Sequence, residues 1–155
     1  MSAGTLPSPI PKELLMLKNI HPLLTGPLLS ILADMGHGDE IAIVDGNFPA
    51  NAVAERLVET PGISATAVLD AVLTVLPLDD FVDQPVGVMQ APGEEPAIYG
   101  EFLASVQTAE ARAMTLEKID RFAFYDRAKS AFAVVATGER RLYGNIILKK
   151  GVVRL

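Results

Sequence analysis

The sequence predicts a single α/β domain built from stacked layers of helix and sheet. Three observations support this. Segments with helical apolar spacing alternate along the chain with short, continuous apolar runs of strand type. Half of the 155 residues are apolar and only 21% are charged, which supplies one real core. No internal repeat is visible, and nothing marks a second domain.

Taken in order, residues 1–15 read as an extended, weakly ordered arm. Pro7, Pro9 and Pro11 fall at every second position and each lacks a backbone donor. Residues 16–155 form the domain. Thr25-Gly26-Pro27 opens a helix, with a capping hydroxyl and then a proline in the first turn, where a missing N–H costs nothing. Leu28, Leu29, Ile31, Leu32 and Met35 continue it, and Gly36 is placed to end it in a left-handed conformation. Ile41–Val44 fits a buried strand, broken by Gly46-Asn47-Phe48-Pro49. Residues 50–59 fit either a helix or a strand. Residues 65–76 present Val68, Leu69, Val72, Leu73 and Leu76 on one helical face. Val86–Met89 reads as a strand, 91–96 as a loop, Ile98–Val106 and Phe122–Ser130 as helices, Phe132–Ala136 as a strand, 138–141 as a turn and Asn145–Lys149 as the last strand.

The bulk charge narrows the function. Thirteen Lys and Arg against nineteen Asp and Glu leave a net charge of −6, which repels phosphate backbones and anionic lipid alike. Nucleic acid and membrane are therefore not expected partners. The absence of cysteine removes disulfides, thiolate metal sites and cysteine nucleophiles, and fits a cytoplasmic address. A mean hydropathy of +0.32 is high for a chain this short and points to apolar surface buried between subunits.

The most informative stretch is Met35-Gly36-His37-Gly38-Asp39-Glu40-Ile41-Ala42-Ile43-Val44-Asp45. One of only two histidines stands in a glycine-flanked turn, where the backbone bends sharply and a small molecule can come close. Histidine both gives and takes a proton near neutral pH. A carboxylate follows at the end of the strand, where open α/β sheets present ligand-binding groups. Asp45 could instead cap its own turn, binding backbone two residues on. Asp39 and Glu40 raise the question of a metal, but no His-x-His or His-Glu-x-x-His spacing accompanies them and no metal is expected. His21, before Pro22, reads as structural.

Two further clusters carry polar chemistry. In Ile119 through Ala128, Arg121 offers a fork of donors suited to oxygen-rich ligands, and Tyr125 lies four residues on, on about the same helical face. Tyr143-Gly144-Asn145 joins a phenol, a permissive glycine and an amide that both donates and accepts, a set suited to a polyol. No Gly-x-Gly-x-x-Gly, P-loop or Gly-x-Ser-x-Gly is present, so nucleotide cofactors and serine-hydrolase chemistry have no support.

At these clusters the chain resembles a known family, the L-fucose mutarotases and D-ribose pyranases (RbsD/FucU-like proteins). The resemblance rests on Met35 through Ile41, Asp45 with Phe48-Pro49-Ala50, Ile119 through Ala128, and Thr137-Gly138-Glu139 with Tyr143-Gly144-Asn145 through Gly151. It spans about Met16 to Val153 and is thin over 50–110. Ile119 through Tyr125 looks like the fucose branch in particular, whereas Asn47 stands where that branch commonly has a histidine.

The resemblance implies a three-layer α/β/α domain with a mostly parallel or mixed sheet. It implies a mutarotase interconverting the α and β anomers of L-fucose or a related monosaccharide, without metal or cofactor. His37 takes the family's proton-donor position, with Tyr143 as its expected catalytic partner. Asp45, Arg121, Tyr143, Gly144 and Asn145 take the substrate-binding positions. It further implies a ring-shaped homodecamer with sites between subunits. Two alternatives stand beside this: ribose pyranose–furanose exchange, and a non-catalytic monosaccharide-binding component linked to transport.

Overall fold

The computed structural model describes residues 10–155, so the expected arm falls outside the described residues over 1–9. Within the stretch read as an extended arm, Lys12–Leu14 form a short 3-10 helix. The first α-helix, α1 (Gly26–Asp34), starts as its sequence dictates: the Thr25 hydroxyl accepts from the Leu28 amide, with Pro27 in the first turn. Its end differs from the expectation. Met35, not Gly36, closes the helix, in extended backbone, and the left-handed glycine of the turn is Gly38, with φ 89°. The reason lies at the other end of the chain. Lys150 Nζ donates to the carbonyls of Leu32 and Met35 at 2.7 and 2.5 Å, satisfying carbonyls that a glycine cap would otherwise serve.

Six strands follow: β1 (Glu40–Val44), β2 (Leu57–Thr60), β3 (Val86–Met89), β4 (Glu117–Ile119), β5 (Ala133–Thr137) and β6 (Ile146–Lys149). They form one sheet in the order β2-β5-β1-β6-β3-β4. β6 runs antiparallel to its neighbours β1 and β3, and every other pairing is parallel. The ambiguous stretch 50–59 is both things in turn, a one-turn helix α2 (Ala50–Val53) and then β2. β4 was not expected. It is a three-residue edge strand of sequence Glu-Lys-Ile, with too little apolar pattern to stand out.

Helices cover both faces. α1, α3 (Ala65–Leu73) and α4 (Ala97–Glu110) pack on one side around Ile41, Ile43, Val86, Val88, Val135, Ile146 and Leu148. α2 and α5 (Arg121–Ser130) pack on the other around Ala42, Val44, Met89, Ile119, Val134 and Ile147. Successive strand residues point to opposite faces, so the continuous apolar runs of β1, β5 and β6 feed two cores at once. The result is a three-layer α/β/α domain with a mixed sheet.

Because five strands are parallel, their carboxyl ends meet at one edge of the sheet. β6 alone crosses in the opposite sense and therefore begins at that edge and ends at the other. The two candidate sites lie at these two edges.

Candidate functional site

At the carboxyl edge, Asp45 follows β1 directly and is 4% exposed. Each of its carboxylate oxygens accepts one backbone amide. Oδ1 accepts from the Asn47 amide at 3.0 Å, and Oδ2 accepts from the Gly144 amide at 3.2 Å. The first bond is the two-residue turn expected of an aspartate here. The second ties Asp45 to the start of β6, where Asn145 Oδ1 accepts from the Asp45 amide at 2.8 Å. Burial pushes the Asp45 carboxyl above its ordinary range, opposed by these amide bonds.

Tyr143 holds a left-handed backbone, φ 60°, which is uncommon for a bulky residue. A Cβ on Gly144 would come within 2.9 Å of Glu139 Cγ and 3.2 Å of Arg141 O, so this position requires glycine. Glu139 anchors the loop. Its carboxylate is buried and accepts from Arg141 through the amide, Nε and Nη2, and from the Ala65 amide at the start of α3. Burial pulls the Glu139 carboxyl up, but the Arg141 bonds prevail and hold it below the ordinary range. Arg141 also pairs with Glu101 on α4.

α5 brings the third part. Asp120 caps it, accepting from the amides of Phe122 and Ala123. Arg121 in its first turn donates from Nε to Tyr125 Oη at 3.0 Å and lies over the Tyr125 and Phe122 rings. The Tyr125 ring sits 5.3 Å from that of Phe48, just after Asp45. The structure therefore gathers Asp45, Arg121, Tyr143, Gly144 and Asn145 at one edge. Arg121 keeps its guanidinium in solvent, close enough to Tyr125 and Tyr143 to feel both phenols.

His37 is not with them. It precedes β1, whereas Asp45 follows it. At about 3.3 Å of rise per residue, β1 alone puts about 13 Å between its ends. Within one copy His37 and Tyr143 cannot act on the same small molecule. At its own edge His37 Nε2 lies 3.0 Å from Asp79 Oδ1; the imidazole is 43% exposed and the carboxylate 5%. The Phe81 ring leans on the imidazole at 5.0 Å. Asp79 and Phe81 carry no signal in the sequence, since Leu-Asp-Asp-Phe after Pro77 reads as an ordinary loop and its pairing with residue 37 spans 42 positions. Among the described residues, no group of three or more His, Asp or Glu is placed to hold a metal ion.

Apolar side chains are exposed near both edges. Phe122 (68%) and Leu142 (66%) neighbour Arg121 and Tyr143 in sequence, and Phe81 (62%) lies against His37.

The comparisons agree with this architecture. A model of the RbsD / FucU transport protein family matches residues 18–153. The L-fucose mutarotase of Actinobacillus pleuropneumoniae serotype 5b (strain L20) is 43% identical over 140 residues, covering 88% of this chain and 97% of that protein. The crystal structure of the fucose mutarotase from Streptococcus pneumoniae in complex with L-fucose superposes with a TM-score of 0.84 at 39% identity, over 89% of this chain and all of that one. Bacillus subtilis RbsD complexed with D-ribose gives a TM-score of 0.67 at 24% identity, over 86% of this chain and 98% of that one, a likeness of fold. On a family match that spans nearly all the described residues, including the 50–110 region where the sequence motifs are thin, this chain belongs to the RbsD/FucU family.

Proposed function

We propose that this protein is a sugar mutarotase that interconverts the α and β anomers of L-fucose or a close relative, in a site completed between two copies of the chain. One observation carries the reading: the polyol-binding group and the titrating group lie at opposite edges of one sheet. Asp45, Asn145 and Arg121 form a half-site without a proton shuttle, and His37 forms a shuttle without a binding group. Each edge also carries exposed aromatic or aliphatic side chains. A head-to-tail contact that sets the His37 edge of one copy on the Asp45 edge of the next joins the halves and covers this surface. Contacts of that kind close into rings. A ring-shaped homodecamer with a cytoplasmic address belongs to the same reading.

The chemistry follows from the residues. Mutarotation needs the sugar ring to open and reclose. The anomeric O1–H loses its proton, the C1–O5 bond breaks with its electron pair moving to O5, and O5 gains a proton. Rotation about C1–C2 and reclosure on the opposite carbonyl face reverse each transfer. His37 manages the proton, and Tyr143 from the adjoining copy supplies a hydroxyl partner. The backbone amides at Gly144 and Asn47, already committed to Asp45, hold its carboxylate still to receive sugar hydroxyls on its remaining lone pairs. Arg121 grips two hydroxyls with its planar fork. A positioned acid or base contributes about 10²–10⁴-fold, enough for a reaction that already proceeds in water.

L-fucose is favoured over D-ribose by the names of the relatives at 43% identity and by the fucose-bound neighbour at 39%. The test is exchange NMR on the anomers of L-fucose, with pyranose–furanose exchange of D-ribose as the comparison. Faster catalysed exchange on L-fucose is expected. Faster ribose exchange would replace the reading with a pyranase, and no acceleration with either sugar would leave a binding component.

A further inference from the structure

We propose that Asp79 is a positioning residue for His37, holding the imidazole as the Nε2–H tautomer so that Nδ1 is the nitrogen that exchanges the proton with the sugar. The catalytic half of this rests on the proposed function; the tautomer does not.

Both partners are fixed to the end of β6. In the His37 turn, Gly36 N donates to Asp39 Oδ2 at 2.7 Å and Asp39 N to Gly36 O at 3.0 Å. Gly38 N then donates to Lys150 O at 2.8 Å, and Lys150 N to Asp39 O at 2.9 Å. Asp79 is held by the next residue along: its amide donates to Lys149 O at 2.9 Å. Its Oδ1 also accepts from the Phe81 amide at 3.1 Å. Gly151 packs so closely beneath that a Cβ there would lie 2.5 Å from Leu78 O and 2.7 Å from Asp79 Cα. The carboxylate therefore has little freedom to follow the imidazole; the imidazole must conform to it.

The direction of the hydrogen bond follows. Burial pulls the Asp79 carboxyl up, but the bonds from His37 and Phe81 prevail and hold it below the ordinary range, so it is ionised at neutral pH. An ionised carboxylate only accepts. The proton in the 3.0 Å contact is then on Nε2. A neutral imidazole carries one proton, so Nδ1 has a lone pair, and it has no hydrogen-bond partner among the described residues. Lys149 and Arg154 also face Asp79, and Arg154 is already paired with Asp80 at 2.7 and 3.1 Å.

One nitrogen then serves both transfers. Nδ1 takes the O1 proton, the resulting imidazolium is balanced by the Asp79 carboxylate, and Nδ1–H returns a proton to O5 as the C1–O5 pair moves onto that oxygen.

Imidazole ¹⁵N NMR on the full chain at neutral to mildly alkaline pH decides the tautomer, with the His37 signals assigned by their loss in His37→Ala. Protonated Nε2 and unprotonated Nδ1 are expected. Protonated Nδ1, or an even mixture, overturns the proposal. Asp79→Asn keeps the side-chain shape and removes the charge. It should lower kcat for anomer exchange by at least about 10-fold with KM little changed, and should weaken the tautomer preference. A folded Asp79→Asn protein with wild-type kcat and an unchanged ¹⁵N pattern overturns the assignment. Should that variant not fold, the wild-type ¹⁵N measurement still decides. A wild type that exchanges no sugar refutes the proposed function and the catalytic half, while the spectra decide the tautomer alone.

Discussion

Asp45 and Asn145 stand one hundred residues apart in sequence and share a buried hydrogen bond, the Asp45 amide donating to Asn145 Oδ1 at 2.8 Å. This bond joins the end of β1 to the start of β6, beneath the half-site proposed to bind the sugar. The Asn145 amide points its Nδ2 to Met89 Sδ at 3.7 Å, a weak acceptor, so the side chain is oriented chiefly by what its oxygen accepts.

Asn145→Ala removes that acceptor and leaves the Asp45 amide unpaired. An unsatisfied buried donor costs about 1–3 kcal/mol. Urea unfolding should show a loss in that range, together with weaker sugar binding. A variant with an unchanged midpoint would show that water replaces the bond freely.

His37→Ala should abolish catalysed anomer exchange while the fold survives, because the side chain is 43% exposed and little packing is lost. Arg121→Ala should abolish it from the other half. Mixed by co-expression, the two inactive chains should recover activity. About a quarter of head-to-tail contacts in a random ring pair the intact edge of one with the intact edge of the other. Exchange NMR on the separated variants and on the mixture reads this directly. No recovery in demonstrated mixed oligomers would mean that both edges are not used in one site.

Arg121→Lys should reduce sugar affinity more than conservation of charge suggests. Arg121 Nε is committed to Tyr125 Oη, leaving a planar pair of terminal nitrogens in a fixed orientation. Lysine offers a single rotating ammonium. KM for L-fucose should rise at least several-fold, and a silent substitution would remove Arg121 from the site.

The two carboxylates should titrate in opposite senses. Asp79 in the folded protein lies below its ordinary value, so its stabilisation is complete above that value and is lost as pH falls through the native one. Asp45 lies above its ordinary value because of burial, so the folded chain binds that proton more tightly than the unfolded chain. Its contribution falls as pH rises from the ordinary value to the native one. Carboxyl ¹³C titration should find Asp79 ionising at lower pH than Asp45. The stability gap between wild type and Asp79→Asn should be widest at neutral pH and close in acid.

Much of this arrangement was legible in the residues. Thr25-Gly26-Pro27 marks the start of α1, and Val86–Met89 is found as read, because capping chemistry and continuous apolar runs are local signals. Asp45, Arg121 and Tyr143-Gly144-Asn145 were legible as candidates from their residue types. Their gathering at one edge depends on β6 running against its neighbours, which no local pattern encodes. Asp79 escaped for a related reason: what marks it is its pairing with His37, 42 positions away. Gly36 misled because its expected role as a helix cap is taken by Lys150, more than a hundred residues on.

β6 also has a consequence for how the molecule is made. It sits between β1 and β3 in the middle of the sheet, yet it is the last strand in chain order. Until it is synthesised, β2-β5-β1 and β3-β4 are separate pieces, each with an open edge of unpaired amides and carbonyls. The sheet therefore closes only once residues 146–149 are available to join the two pieces. A nascent chain stalled before Ile146 exposes two sticky edges at once.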